Sequence, residues 1–167
     1  MKVTVLLMGA ALSLANMPVE DQRSLSFYHT HTGQALSIVY YTNGEYLPHA
    51  LDRVDDYLKD FRNGEEHRID PALLDVLFDI KQRTGTRKPF EVISAYRSPE
   101  TNTMLRSRST GVAERSLHLQ GQAIDVRLAD VRLDRLRQVA LQMKRGGVGF
   151  YPESQFVHVD TGRVRHW

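Results

Sequence analysis

The spacing of the apolar residues changes along this chain, and that change restricts its fold more than any other feature. Over residues 47–62, Leu47, Leu51, Val54, Leu58 and Phe61 recur every three or four positions, which makes one apolar face of a helix. Asn63-Gly64 closes that segment. Asp70-Pro71 opens a second helix, with Asp as N-cap and Pro in the first turn; Leu73, Leu77 and Ile80 line its face until Gly85. Two further helices are predicted, from Ser98-Pro99 to Arg108 and from Leu133 to Gly146-Gly147. Elsewhere the period falls to two. Residues 24–41 read as a β-hairpin turning at His31-Thr32-Gly33, and Phe90–Ser94, Gln122–Arg127, Val148–Tyr151 and Phe156–Asp160 read as strands. The expected fold is α+β: a mostly antiparallel sheet with helices packed on one side.

The length of 167 residues suits one domain with a sizeable core. Hydrophobic residues at 41% and charged residues at 25% exclude a disordered chain. The net charge is +2, with bases and acids interspersed, so the segregated basic face of a nucleic-acid binder is not expected. A mildly basic surface is compatible with an anionic polymer. Cysteine is absent, which removes disulfides, thiolate ligands and cysteine nucleophiles together. The start, MKVTVLLMGAALSLA, combines Lys2, an apolar run and Ser13-Leu14-Ala15. It reads as an export signal over 1–15, too short to span a bilayer comfortably, followed by a spacer over 16–23 and one domain over 24–167.

Three segments carry metal-binding residue types: Ser116-Leu117-His118, Gly121-Gln122-Ala123-Ile124-Asp125 and Phe156-Val157-His158-Val159-Asp160. Imidazole and carboxylate donors suit a catalytic zinc, which takes three protein ligands and keeps one open position. Gly121 lets the backbone turn sharply between His118 and Asp125, and strand alternation aims His158 and Asp160 to one side. Spacing alone leaves a structural role for each of these residues open.

The string SLHLQGQAIDVR fits S-x-H-x-x-G-x-A-x-D and is followed far downstream by H-x-D. This pattern resembles the zinc D-Ala-D-Ala carboxypeptidase and murein endopeptidase family, which shares a fold with lysostaphin-type peptidases and the hedgehog signalling domain. VISAYRSPETN resembles the family's strand with Tyr-Arg-Ser, and GGVGFYPESQFVHVDTGRVRHW its closing hairpin. The similarity covers about residues 24–167 and points to the periplasmic murein endopeptidase K-type branch.

The resemblance implies a zinc peptidase acting on the peptide stems of bacterial peptidoglycan, with one ion per chain held by His118, Asp125 and His158. It also implies Arg97 beside the scissile carbonyl and Ser116 on the substrate. Tyr96 reads as a rim or packing aromatic, in the first case a substrate contact. A monomer in the periplasm, without a membrane span after processing, is expected. One position departs from the pattern. Gln155 stands where several members of the wider family carry a Glu as general base. Asp160 and His166 are the candidates in its place, Asp160 alternatively orienting a ligand His, with Glu153 weaker. His29 and His31 read as a solvated hairpin end, and His49 and His67 as surface residues. A D,D-carboxypeptidase and a non-catalytic zinc-bearing wall-binding module are the alternatives.

Overall fold

The computed structural model describes residues 21–109 and 111–167, so the expected leader over 1–15 lies outside the described residues. In chain order the elements are β1 (Arg23–His29), β2 (Ala35–Thr42), β3 (Glu45–Tyr46), α1 (Pro48–Tyr57), α2 (Pro71–Thr84) and β4 (Phe90–Ser94). There follow α3 (Pro99–Arg108), a 3-10 helix (Leu117–Gln120), β5 (Ala123–Leu128), α4 (Leu133–Met143), β6 (Gly147–Tyr151), β7 (Phe156–Asp160) and β8 (Arg165–His166). No helix among the described residues is long and apolar enough to cross a membrane.

Local chemistry explains most boundaries. Asp70 caps α2 by accepting from Ala72 N at 2.9 Å, with Pro71 next to it, and Gly85 ends the helix at φ 70°. Ser98 caps α3 through Thr101 N at 3.1 Å. α1 stops well short of residue 62, because tertiary partners claim the next residues. The Leu58 carbonyl accepts from Tyr96 N at 3.1 Å, and the Asp60 carboxylate accepts from Ser98 N at 2.9 Å and Arg62 N at 3.0 Å.

The eight strands form one sheet in the order β3-β2-β1-β4-β5-β7-β6-β8. The sheet is mixed, which corrects the mostly antiparallel expectation: β1 pairs with β4, and β6 with β8, in parallel. Both parallel pairs follow from long returns of the chain. α1 and α2 intervene before β4 comes back beside β1, and the chain leaving β7 passes β6 to place β8 on its far edge. The two-residue strands β3 and β8 are too short to show any period in sequence.

One face of the sheet, including Phe27, Phe90, Val126 and Val157, shares a single apolar core with α1, α2 and α4. Each fully buried Leu, Val, Ile or Phe there contributes about 1.5–3 kcal/mol. Along β5 and β7 the alternation sends Ile124, Val126, Val157 and Val159 into that core. Asp125, His158 and Asp160 are thereby sent to the opposite face.

Far from that face, a polar group buttresses the core. Asp75 on α2 accepts from Arg23 at 2.8 Å, Tyr40 at 2.9 Å and Tyr46 at 2.7 Å, tying the helix to β1, β2 and β3. Burial would raise the Asp75 carboxyl, but its donors outweigh burial and hold it below the usual carboxylate value. The stability it contributes is therefore complete above the unfolded-state pKa of about 4 and is lost as pH falls through the lower folded-state value. Asp75→Asn should cost about 2–4 kcal/mol at neutral pH, with the gap from the parent narrowing below about pH 4. Urea unfolding across a pH series measures this; a gap independent of pH would show that the carboxylate's charge is not what holds the three strands.

Candidate metal centre

β5 and β7 are adjacent and antiparallel, with Asp125 directly opposite His158. His118 reaches them from the 3-10 helix. Ser116 caps that helix, its Oγ accepting from His118 N at 3.3 Å, and Gly121 ends it at φ 64°. A Cβ on Gly121 would lie 2.0 Å from the Arg68 carbonyl oxygen, so only glycine fits this turn.

A β-bulge completes the arrangement. The β4–β5 register slips by one residue between Val92 and Ser94, which places Ser94 opposite Asp125 and re-aims the end of β4. The Ala95 carbonyl then accepts from His118 Nδ1 at 2.6 Å, and Arg97 N donates to the His118 carbonyl at 3.1 Å. Neither the bulge nor the 3-10 helix leaves a periodic signal in sequence.

These contacts set the tautomers. With Nδ1–H of His118 on Ala95, its Nε2 carries a lone pair. His158 Nε2 lies 3.1 Å from Asp160 Oδ2, so that nitrogen donates and Nδ1 carries the lone pair. His118 Nε2, His158 Nδ1 and Asp125 Oδ1 then stand 3.2, 2.9 and 3.3 Å apart, pair by pair. Ligands at the usual zinc distances of about 2.0–2.1 Å in a tetrahedron sit about 3.3–3.4 Å from one another. Three acceptor atoms at nearly that separation, all buried, could hold a metal ion. The donor set fits.

Asp160 is fully buried and committed. Besides His158 it accepts from Gly147 N at 2.8 Å, Gly162 N at 2.9 Å and the Arg165 guanidinium at 2.7 Å. It does not line the cleft above the ligands. Its contact with His158 Nε2 is the one an orienting group makes.

The cleft has a volume of about 370 Å³. It is lined by Arg97, by Ser109 and residues 111–113 and 115–118, and by Tyr151, Ser154, Phe156, Arg165 and Trp167. Arg97 is buried, donates to Asn102 Oδ1 at 3.2 Å and has an Nε without a partner. Ser116 lines the cleft. Other candidates lie elsewhere. Tyr96 is buried in the core, its hydroxyl donating to Glu65 at 2.6 Å and its ring stacked on His67, because the chain turns at Arg97 and leaves Tyr96 facing inward. His166 pairs with Val148 on β8, and alternation puts it on the face opposite Arg165 and Trp167. Glu153 and Gln155 are exposed in the β6–β7 turn, where the Gln155 amide donates to the Pro152 carbonyl. Among the described residues, Asp125 is the one carboxylate that lines the cleft.

The hairpin β1–β2 does not line the cleft; β4 separates it from β5. One further expectation changes. His29 is buried rather than solvated. It lies edge-on to Phe61, on which His31 stacks. Sequence reading passed over Tyr151 and Trp167, although the alternation Gly147-Gly149-Tyr151 places Tyr151 on the face of His158 once the β6–β7 register is known.

The family model described as peptidoglycan L,D-endopeptidase MepK matches residues 17–167. The chain is 40% identical over 164 residues to the peptidoglycan L,D-endopeptidase MepK of Escherichia coli K12, covering 96% of this chain and 90% of that protein. It is also 40% identical over 155 residues to the probable peptidoglycan L,D-endopeptidase MepK of Haemophilus influenzae, covering 92% and 83%. No solved structure matches the chain. With the match running through every strand that builds the metal centre, the chain belongs to the family of the peptidoglycan L,D-endopeptidase MepK.

Proposed function

We propose that this protein is a zinc metallopeptidase that hydrolyses peptide cross-links of bacterial peptidoglycan, at an L,D bond as the names of its relatives state for them. The observation that carries this reading is the buried triangle of His118 Nε2, Asp125 Oδ1 and His158 Nδ1. Three lone-pair acceptors aimed at one point, with both imidazole protons committed elsewhere, are suited to a cation. Zinc held there supplies Lewis-acid polarisation of a carbonyl and activation of water at neutral pH.

The chain's own residues supply the rest. Arg97 presents fixed positive charge and a free Nε–H in the wall of the cleft, suited to an amide oxygen as it gains negative charge. Ser116 has its oxygen on His118 N, so its hydroxyl proton remains available to a peptide carbonyl lying in the cleft. Asp160 holds the His158 ring and its tautomer. We assign residues 24–167 to one catalytic domain of the hedgehog/D-Ala-D-Ala-peptidase fold group, and residues 1–15 to an export signal that delivers a monomer to the periplasm.

A second reading has one observation in its favour. The cleft holds no carboxylate beyond Asp125 among the described residues, as suits a metal-bearing module that binds the wall without cutting it. Muropeptide mass analysis of purified sacculi incubated with zinc-loaded protein separates the readings. New fragments broken at cross-links support the endopeptidase, free D-Ala indicates a carboxypeptidase, and binding without release indicates the module. His118→Ala and Asp125→Ala should each abolish zinc retention through dialysis and all fragment release; full release by either variant would sink the proposal. Asp160→Asn should keep the ligands but lower zinc affinity about 10–100-fold in a chelator competition. Unchanged affinity would show that His158 is oriented without it.

A further inference from the structure

The cleft faces its reaction with an unusual inventory: one ligand carboxylate, arginines, and a single phenol. That phenol is Tyr151, the last residue of β6. Gly149, two positions earlier, stands opposite His158, so Tyr151 shares the face of the metal centre about 7 Å farther along the strand. Its ring stacks on Phe156 at 4.5 Å between centroids, and its oxygen accepts the indole Nε1–H of Trp167 at 2.7 Å.

This last contact decides the phenol's role. An indole N–H donates and never accepts, so the Tyr151 oxygen is the acceptor and its own proton must point elsewhere. The protein offers that proton no acceptor among the described residues; the cleft is where it can find one. The Arg97 guanidinium lines the same cleft. The indole is itself seated closely: its ring lies 5.2 Å from the His158 ring and 5.0 Å from the Arg165 guanidinium. A Cβ on Gly149 would come within 2.8 Å of it. β8 brings Trp167 to this place by pairing with β6, and the backbone clasp is reciprocal: Trp167 N donates to Val148 O and Phe150 N to Trp167 O.

We propose that Tyr151 is a catalytic residue that donates a hydrogen bond to the oxygen of the scissile carbonyl, alongside Arg97, and that Trp167 is the positioning residue that aims it. The proposal rests on the peptidase reading. As the oxygen of water bonds to the carbonyl carbon, the carbonyl oxygen takes up negative charge. It gives that charge back when the C–N bond breaks and a proton derived from the water passes to the leaving amine. The phenol keeps its own proton throughout. Its contribution is largest when the charge is largest, which is the condition for raising kcat rather than lowering KM.

Tyr151→Phe removes the hydroxyl and leaves the stack on Phe156. With a defined cross-linked muropeptide and zinc-loaded protein, kcat should fall about 100–1,000-fold, as for loss of one oxyanion donor, while KM stays within about twofold. Zinc content and thermal unfolding should match the parent. Binding of a phosphinate analogue of the cleaved bond, measured by calorimetry, should weaken by a similar factor. Trp167→Phe should lower kcat less, and should have no further effect in the Tyr151→Phe background. A Tyr151→Phe kcat within threefold of the parent, or unchanged phosphinate affinity, would overturn the proposal. Equal effects of Trp167→Phe in both backgrounds would overturn the positioning role. A parent protein that releases no fragment would instead overturn the peptidase reading, and this inference with it.

Discussion

Everything at the metal centre depends on where two imidazole protons go. The Ala95 carbonyl takes one from His118 and Asp160 takes the other from His158. If either ring were turned or in the other tautomer, an N–H would point at the carboxylate of Asp125 and a hydrogen bond would satisfy the triangle without a cation. The protein spends a β-bulge and a buried carboxylate on preventing this. Ala95 reaches His118 because β4 carries an extra residue, and Asp160 is held by two backbone amides and a guanidinium so that it can hold a ring in turn.

The division of labour between the two faces of the sheet follows from the same strands. β5 and β7 alternate between valine or isoleucine and the polar residues, so the helices that bury one face fix the depth and direction of the ligands on the other. Packing density on the core side translates into ligand position on the cleft side. A strand slip by one residue would exchange the two sets, placing His158 and Asp160 in the hydrocarbon and exposing the valines, so the register carries a strong energetic penalty against error.

How much of this was legible in the sequence varies with the range of the interaction. The helix faces, the Asp70 and Ser98 caps and the longer strands rest on local periodicity and local hydrogen bonds, and they were readable. That His118, Asp125 and His158 gather at one point was readable because their spacing coincides with a family pattern. What was not readable is set by contacts between distant segments. α1 ends where Ser98 and Tyr96 take its successors' hydrogen bonds, β8 is too short to announce itself, and Tyr96 faces inward because of a turn one residue later. Asp160 illustrates the limit well. Its residue type fits a base or an orienting group equally, and the engagement of its oxygens by Gly147, Gly162 and Arg165, which favours the second, leaves no mark in the sequence.

The absence of cysteine acquires a meaning once the three ligands are seen on three separate segments. No covalent link ties the 3-10 helix to β5 and β7, and that helix is otherwise fixed by a few backbone bonds such as Asp70 N to the Gly121 carbonyl. An ion shared by His118, Asp125 and His158 would serve as the chain's one tertiary cross-link on the cleft side. Unlike a disulfide, its strength is set by supply: each tenfold rise in free metal above the dissociation constant adds about 1.4 kcal/mol to the folded state. Metal availability would then govern how long the protein survives, as well as how fast it works.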